Sequence, residues 1–267
     1  MRLQDKTALV TGASGGLGTG ICKAFAQEGA DCVVVYRSDP DEAKNTAAMV
    51  EGLGRRAVIC QADISDESQV RSMIATAIDS FGQLDIVVAN AGLGISRPLM
   101  ETTLSDFEKL IRVNLMGTYL TVRFGAEPMV KRRQGKIITI SSVHGLGGTH
   151  MNCLYAATKA GIINFTRGAA FDLSDFNIQI NAIAPGAVPV PKDPPPEDGS
   201  VLHEAWMQYT PCSRWGTPAD VAAGAVYLAS RDSDWVTGQV LSIDGGITAG
   251  PHLPSMKYYG PKPKMGS

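Results

Sequence analysis

The chain has 267 residues, 44% of them hydrophobic and 19% charged, which is the composition of an ordinary globular protein and excludes a disordered or fibrous one. Its 24 basic and 26 acidic side chains give a formal net charge of -2, so no field draws it to nucleic acid or to an anionic membrane. No apolar run approaches the roughly 18 residues of a membrane span, and Met1 to Lys6 lead into a short apolar run without a signal-peptide core, so a cytoplasmic protein is expected.

Short β-branched runs at 7–10, 31–36, 57–60, 85–89, 136–140, 179–183 and 240–243 alternate with helical patterns at 16–29, 41–53, 67–81, 104–131, 152–174 and 218–230. The strand runs are nearly continuous in apolar character, as when helices cover both faces of a sheet. The rhythm predicts one α/β domain over residues 1–249, doubly wound and Rossmann-type, with a seven-stranded parallel sheet. Thr217, Pro218 and Asp220 place an N-cap, a first-turn proline and an acidic third position at the start of the last helix.

Two stretches break the rhythm. Six prolines between 185 and 200 exclude a helix or an inner strand there and predict a long loop, with a short helix at 201–208. Such a segment, 185–208, is either a lid over a substrate or a surface excursion. Residues 250–267, rich in Pro, Gly and Lys, read as a C-terminal extension that packs on a neighbouring subunit or frays. The five cysteines, Cys22, Cys32, Cys60, Cys153 and Cys212, lack C-x-x-C spacing, and an odd count argues against a disulfide framework. Small core residues are expected of them, with Cys153 also near enough to Tyr155 in sequence to meet a ligand.

The first strand runs into Thr11-Gly12-Ala13-Ser14-Gly15-Gly16-Leu17-Gly18. Glycines at 12, 16 and 18 let the backbone turn sharply and approach a pyrophosphate, and the next helix offers unpaired N–H groups to it. A glycine-rich turn alone is weak evidence, but on the first βα connection it lies where doubly wound sheets bind dinucleotides. A carboxylate reading the ribose is expected at the end of the second strand in an NAD site. That strand ends Tyr36-Arg37-Ser38, a cation and a hydroxyl that suit a 2′-phosphate, which favours NADP(H) and leaves NAD(H) open.

Tyr155 and Lys159 stand four apart in a helical segment and so share a face. Two charges about 5 Å apart at an effective dielectric near 20 interact by roughly 3 kcal/mol, which would draw a tyrosine pKa of about 10 toward neutrality. A tyrosine so tuned takes a proton from an alcohol or returns it to a carbonyl. Ser141 and Ser142 end the fifth strand at its carboxyl edge, and Ser142 lies 13 residues before Tyr155.

With these marks the chain resembles the short-chain dehydrogenase/reductase family from about Lys6 to Gly246. The marks are the glycine turn, Asp63, Asn90-Ala91-Gly92, Asn114, Ser142, Tyr155-x-x-x-Lys159, Pro185-Gly186 and Asp244-Gly245-Gly246. The resemblance implies Tyr155 as the general acid/base, Lys159 as its partner on the nicotinamide ribose, and Ser142 holding the substrate oxygen. It implies Asn114 anchoring a water in a proton relay. For the cofactor it implies Gly12, Ser14, Gly15, Gly16, Leu17 and Gly18 at the phosphates, and Tyr36, Arg37 and Ser38 at the ribose. Asp63 and Ile64 would meet the adenine, Asn90, Ala91 and Gly92 would shape the cleft, and Pro185, Gly186 and Val188 would line the nicotinamide end. Asp244-Gly245-Gly246 would be structural. No metal is implied, and a homotetramer built partly from the two long helices is.

One departure stands out. Val190 occupies the position five after Pro185 where the family commonly has a threonine, and a valine offers the cofactor no hydrogen bond. Looser cofactor binding or a different loop path would follow.

Within the family, Val34 to Ser38, Ser141 to His144 and the extension after Gly246 are most similar to bacterial glucose 1-dehydrogenases, implying a sugar or polyol substrate. His144 is placed with Ser142 and Tyr155 as a candidate substrate contact, and His150 either lines the pocket or faces solvent. The alternative is a 3-oxoacyl-carrier-protein or small-ketone reductase, for which Lys131-Arg132-Arg133 would supply a docking patch or merely a solvated helix end. A catalytically silent cofactor sensor is the remote alternative, opposed by the intact Asn114, Ser142, Tyr155 and Lys159.

Overall fold

A computed structural model describes residues 1–191 and 193–250, with Leu202 described by its backbone alone. In chain order it holds β1 (Thr7–Thr11), α1 (Gly16–Gln27), β2 (Asp31–Tyr36), α2 (Pro40–Gly52), β3 (Ala57–Gln61), α3 (Glu67–Phe81) and β4 (Ile86–Ala89). Then come α4 (Leu104–Leu110), α5 (Gly117–Arg132), β5 (Gly135–Ile140), α6 (Cys153–Ser174), β6 (Ile178–Pro185), α7 (Val201–Tyr209), α8 (Pro218–Ala229) and β7 (Val240–Ile243). The strands form one sheet in the order β3-β2-β1-β4-β5-β6-β7, and every neighbouring pair is parallel. This is the doubly wound Rossmann-type architecture the apolar runs predict.

Side chains alternate between the two faces of the sheet, and each face has its own core. Ala8, Val10, Cys32 and Val34 point to one face, where Ile21 and Phe25 of α1, Val50 of α2 and Val226 of α8 cover them. Leu9, Val33 and Val35 point to the other, against Met73 of α3, Met129 of α5 and Ala170 of α6. Phe25, Leu9, Ile21 and Met73 are completely or almost completely buried. Each such side chain contributes about 1.5–3 kcal/mol by leaving water, which is why strands this apolar hold the centre of the molecule.

β1 lies inside the sheet with β2 on one side and β4 on the other, so the chain winds outward in both directions from the β1/β4 boundary. The loops leaving the carboxyl ends of these two strands must diverge and leave a crevice between them. The glycine turn and Asn90-Ala91-Gly92 border that crevice. Thr11 fastens its floor: its Oγ1 accepts from the backbone N–H groups of Asn90 and Ala91, each at 3.0 Å. Asn90 Nδ2 donates to the carbonyls of Thr11 and Gly12 at 2.8 and 3.2 Å.

Several sequence expectations are refined. The single helix read at 104–131 is α4 and α5 joined by a π-helical stretch, Ile111–Met116, that carries the buried Asn114. Pro185 is the last residue of β6, paired with Ile243, so an inner strand does reach the first proline of the loop. The ladder ends there, and the missing N–H interrupts nothing. Only Cys22 and Cys32 are buried; Cys60 is half-buried, and Cys153 and Cys212 are exposed, because they sit on a helix start and on a connecting turn instead of on core-facing strand positions. Thr217 caps α8 in a reciprocal capping box with Asp220, behind Pro218, as its sequence signals. The extension read at 250–267 lies outside the described residues apart from Gly250. Among the described residues no helix is long and apolar enough to cross a membrane.

Candidate active site

The glycine turn is shaped by contacts that only glycine tolerates. A Cβ on Gly18 would run into the Gly12 carbonyl oxygen and lie 2.8 Å from Ala13 Cα, and Gly12 holds a φ of +65°. Ala13 N donates to the Val35 carbonyl at 2.8 Å and ties the turn to β2. α1 therefore begins at Gly16 directly over the crevice, and no side chain caps its first turn. The space that a Cβ on Gly15 would occupy is open, with nothing within 4 Å. Ser14 and Leu17 flank this opening, half-buried. Uncapped N–H groups, the positive end of a helix and a cradle without side chains suit a pyrophosphate, so the residues present fit a dinucleotide.

At the end of β2, Tyr36 is half-buried and Arg37 and Ser38 are exposed. Asp63, beyond β3, stands close enough to Arg37 and Arg112 to feel both guanidiniums. Burial works against its carboxylate, but the Ser65 amide and hydroxyl and the two arginines together hold its carboxyl below the ordinary range. Both Ser65 bonds fall on Asp63 Oδ1, at 2.9 and 2.7 Å. Ile64 is buried against Gly117, where a Cβ would meet its Cδ1 at 2.5 Å, so its side chain is core and only its backbone is left to face the crevice.

The second half of the site lies at the carboxyl end of β5. Ser142 leaves the strand in extended backbone, its Oγ accepts from His144 N at 3.2 Å, and a single 3-10 turn follows. Gly145 in that turn passes so close to α6 that a Cβ would lie 2.8 Å from the Lys159 carbonyl and from Ser141 Oγ. Ser141 Oγ donates to the same carbonyl at 2.8 Å. These contacts pull α6 against the end of β5 and bring Ser142, His144 and Tyr155 together. The Ser142 hydroxyl meets the phenol, and the His144 ring stands edge-on to the tyrosine ring at 5.9 Å between centroids.

Lys159, one turn along α6 from Tyr155, is 5% exposed, and its Nζ donates to the Ile140 carbonyl at 2.8 Å. A Cβ on Gly92 would lie 3.5 Å from that Nζ and 3.2 Å from Asn114 Oδ1, so the lysine, the asparagine and the β4 loop converge. Asn114 is wholly buried. Its Oδ1 accepts from Leu93 N at 2.8 Å, and its Nδ2 donates to the Leu93 carbonyl at 2.9 Å and to Thr158 Oγ1 at 3.1 Å. Thr158 in turn donates to the Tyr155 carbonyl at 2.7 Å. Sequence reasoning named Thr11 only as the start of the glycine motif and gave neither it nor Thr158 a role, though both fasten the site; nothing local distinguishes a threonine that clamps a loop from one that fills a core.

The tyrosine does not behave as its spacing from the lysine suggests. Burial raises the Tyr155 pKa, Ser142 draws it back only in part, and the ammonium lies 5.5 Å from the ring centroid, turned to the Ile140 carbonyl. Burial also disfavours the charged form of Lys159 and lowers its pKa to about 8, although the group is still mostly an ammonium at neutral pH. Coulombic tuning of the phenol by this lysine is therefore not what the protein alone provides: desolvation of both groups outweighs it.

The proline-rich segment folds back over the crevice. Pro185 is buried, and Gly186 crosses Asp244 so tightly that a Cβ would lie 2.7 Å from its Cα. Val188 packs on Gly216. Val190 exchanges two backbone hydrogen bonds with Asp193 and rests on the glycine turn, 3.1 Å from where a Cβ on Gly16 would be. Where a threonine would offer a hydroxyl, this loop lays a methyl group on the phosphate turn. Asp244 accepts from Gly246 N and Thr248 N and holds the turn after β7, the structural part expected of it.

A cavity of about 830 Å³ meets the serine and tyrosine cluster through His144, with neither Ser142 nor Tyr155 among the residues that line it. His144 lines it, with Leu146 and with Trp206 and Tyr209 of α7. His150 is exposed and is not among its walls. Trp206 and Tyr209 escaped the sequence reading because two aromatics in a short helix look like ordinary packing residues. Arg132 pairs with Asp85 at 2.7 Å at the far edge of the sheet, where β5 begins. The six residues of β5 separate the basic run from Ser142 by roughly 20 Å, so it is no docking patch at the mouth of the site.

Residues 12–248 match the family model described as enoyl-(acyl carrier protein) reductase. The chain belongs to the short-chain dehydrogenase/reductase family. It is 36% identical to glucose 1-dehydrogenase 2 of Bacillus subtilis (strain 168), covering 93% of this chain and 97% of the relative. It is 35% identical to a 3-oxoacyl-[acyl-carrier-protein] reductase of Chlamydia muridarum, covering 92% and 98%. Among solved structures, a short-chain dehydrogenase from Burkholderia cenocepacia J2315 in complex with NADP superposes with a TM-score of 0.86 at 32% identity, over 93% of this chain and all of that one. A 7α-hydroxysteroid dehydrogenase complexed with NADH and 7-oxo glycochenodeoxycholic acid gives 0.87 at 34% identity, over 92% and 95%. The chain is accordingly an oxidoreductase of this family, acting on CH–OH or C=O groups.

Proposed function

We propose that this short-chain dehydrogenase/reductase is an NADP(H)-preferring enzyme in which Tyr155 moves the proton of a neutral small-molecule alcohol or ketone. The observation that carries the reading is the meeting of Ser142, His144 and Tyr155 at the sheet edge that holds the uncapped glycine turn, with His144 also lining a cavity. The nicotinamide cofactor, when bound, supplies or accepts the hydride. Its phosphates would be held by Gly12, Ser14, Gly15, Gly16, Leu17 and Gly18, with Asn90, Ala91, Gly92 and Lys159 along the crevice.

In the oxidative direction the carbinol C–H and O–H bonds break and a C=O bond forms, while Tyr155 Oη takes the hydroxyl proton; in reduction it gives the proton back. Ser142 Oγ holds the same oxygen. A phenol whose pKa is raised keeps its proton at neutral pH, which suits carbonyl reduction. The Asn114 amide bonds Leu93 and Thr158, so both of its N–H groups are taken and its side chain fixes the β4 loop against α6. Arg37, Ser38 and the absence of a carboxylate at the end of β2 support NADP(H) over NAD(H).

The sugar or polyol reading, glucose 1-dehydrogenase-like, draws support from the Bacillus relative, and the reductase reading has nearly the same identity behind it. The distance of Lys131-Arg132-Arg133 from the cavity speaks against a carrier-protein substrate and leaves small ketones. Residues 1–249 act as one catalytic and cofactor-binding unit, with 186–208 as its lid. The apolar groove between α5 and α6, lined by Tyr119, Val122, Phe165 and Leu173, supports self-association as a homotetramer. The reading places the enzyme in the cytoplasm. The test is absorbance of reduced nicotinamide with NADP and NAD in parallel, first with sugars and polyols, then with ketones and ketoesters in the reverse direction. Turnover that is faster with NADP supports the reading; NAD-only turnover removes the cofactor preference, and binding without turnover would return the sensor.

A further inference from the structure

The walls of the cavity are unlike a sugar site. Val143, Leu146, Trp206, Tyr209 and Ile247 supply most of its lining, and among the described residues no carboxylate, amide, ammonium or guanidinium side chain reaches it. The polar groups that do are those of His144, Thr149, Ser242 and Thr248, with the hydroxyl of Tyr209 and the indole N–H of Trp206. The Thr248 hydroxyl is already spent on Asp244. His144 is half-buried, its Nδ1 has no partner among the described residues, and burial keeps the ring neutral at pH 7. A pyranose carries a hydroxyl on nearly every carbon, and each one entering without a partner gives up its bonds to water. Among the described residues the cavity has no charged or amide side chain to hold a pair of them.

Its apolar capacity is correspondingly large. About 830 Å³ is near the upper end of small-molecule sites, which run roughly from 300 to 1,000 Å³. Leu146 and Tyr209 keep 42% and 47% of their surface exposed beside it, apolar area that a ligand would cover. The walls come from three separate segments, the turn after β5, α7 and the stretch after β7, so the space is broad. Broad walls with an indole face suit a rigid ring system, which also loses little conformational freedom on binding.

We infer that the cavity that meets Ser142 and Tyr155 through His144 selects a neutral alicyclic alcohol or its ketone with a large apolar body, in preference to a free sugar. This rests on the oxidoreductase reading above and narrows its substrate. The carbinol end lies between Ser142 and Tyr155, the His144 ring borders it, and the ring body lies along Leu146 and Trp206.

The test compares cyclohexanol, decahydro-2-naphthol, glucose and sorbitol as substrates with NADP, and uses the unfolding midpoint with each compound as a second readout. Each buried methylene is worth about fourfold, so kcat/KM for decahydro-2-naphthol should exceed that for cyclohexanol by about tenfold or more, with both above glucose and sorbitol. Leu146→Gln, at an exposed position that a polar side chain tolerates, should shrink the ratio between the two ring alcohols by about threefold or more, and Trp206→Ala should do the same. Preference for glucose or sorbitol overturns the inference and leaves the oxidoreductase in place. If no compound is turned over but decahydro-2-naphthol raises the unfolding midpoint of the wild type more than that of Leu146→Gln, the pocket assignment stands and the oxidoreductase falls. Neither turnover nor a shift overturns both.

Discussion

Lys159 shows how a buried charge writes itself into stability. Its folded pKa of about 8 lies below the roughly 10.4 of an unfolded lysine, so between these values the unfolded chain binds a proton that the folded chain lacks. Stability therefore gains from this group as pH rises through the window, by roughly 3 kcal/mol in all, and loses it as pH falls toward 8. Urea denaturation of the wild type and of Lys159→Met, from about pH 7.5 to about pH 10.5, should give curves that diverge with rising pH in favour of the wild type. Parallel curves would mean that the ammonium is better solvated than its burial implies. Tyr155, raised by burial, works as an acid at neutral pH, so the rate of alcohol oxidation should climb through the alkaline range while ketone reduction is already fast near neutrality. Arg37→Gln removes the cation at the end of β2 and should weaken NADPH by about 10- to 100-fold, with little change for NADH, in a fluorescence titration of both.

At the scale of elements, the glycine turn and α1 act as one part. Gly18→Ala forces a Cβ into the Gly12 carbonyl and Ala13 Cα, both of them backbone, so the turn must open. A loss of about 1–3 kcal/mol in stability and a weaker affinity for either cofactor are expected from thermal unfolding with and without NADPH. An alanine variant that binds the cofactor normally would mean that the turn is not held by this contact. The sequence showed this element well, because glycine spacing, strand and helix start are local signals; so were Thr217, Pro218 and Asp220 at the start of α8. It did not show the π stretch around Asn114, since the apolar period of 104–131 continues through it and the extra residue per turn is decided by what Asn114 bonds in the β4 loop. It mistook the direction of the Tyr155 shift for the same reason: i,i+4 spacing gives proximity, whereas desolvation depends on the strands and turns packed around the pair.

For the whole molecule, a parallel, doubly wound sheet of seven strands was readable from the alternation of apolar runs, but the order of its strands and the substrate cavity were not. The cavity walls are Leu146, Trp206 and Ile247, far apart in sequence and joined only once the sheet brings the ends of β5 and β7 to one edge. The α5/α6 groove is likewise a product of packing, and it supports assembly. Ala169→Asp puts a charge into the groove and, if the proposed homotetramer forms through it, should give smaller species in light scattering; an unchanged mass would take the interface elsewhere.

The measurement that bears most directly on the account is hydride transfer by Tyr155→Phe at a saturating ring alcohol, with cofactor binding titrated on the same protein. The account predicts a fall in kcat of about 10²- to 10⁴-fold in a variant that still folds and still binds NADPH. Turnover close to that of the wild type would contradict it, and would mean that the proton leaves through another group.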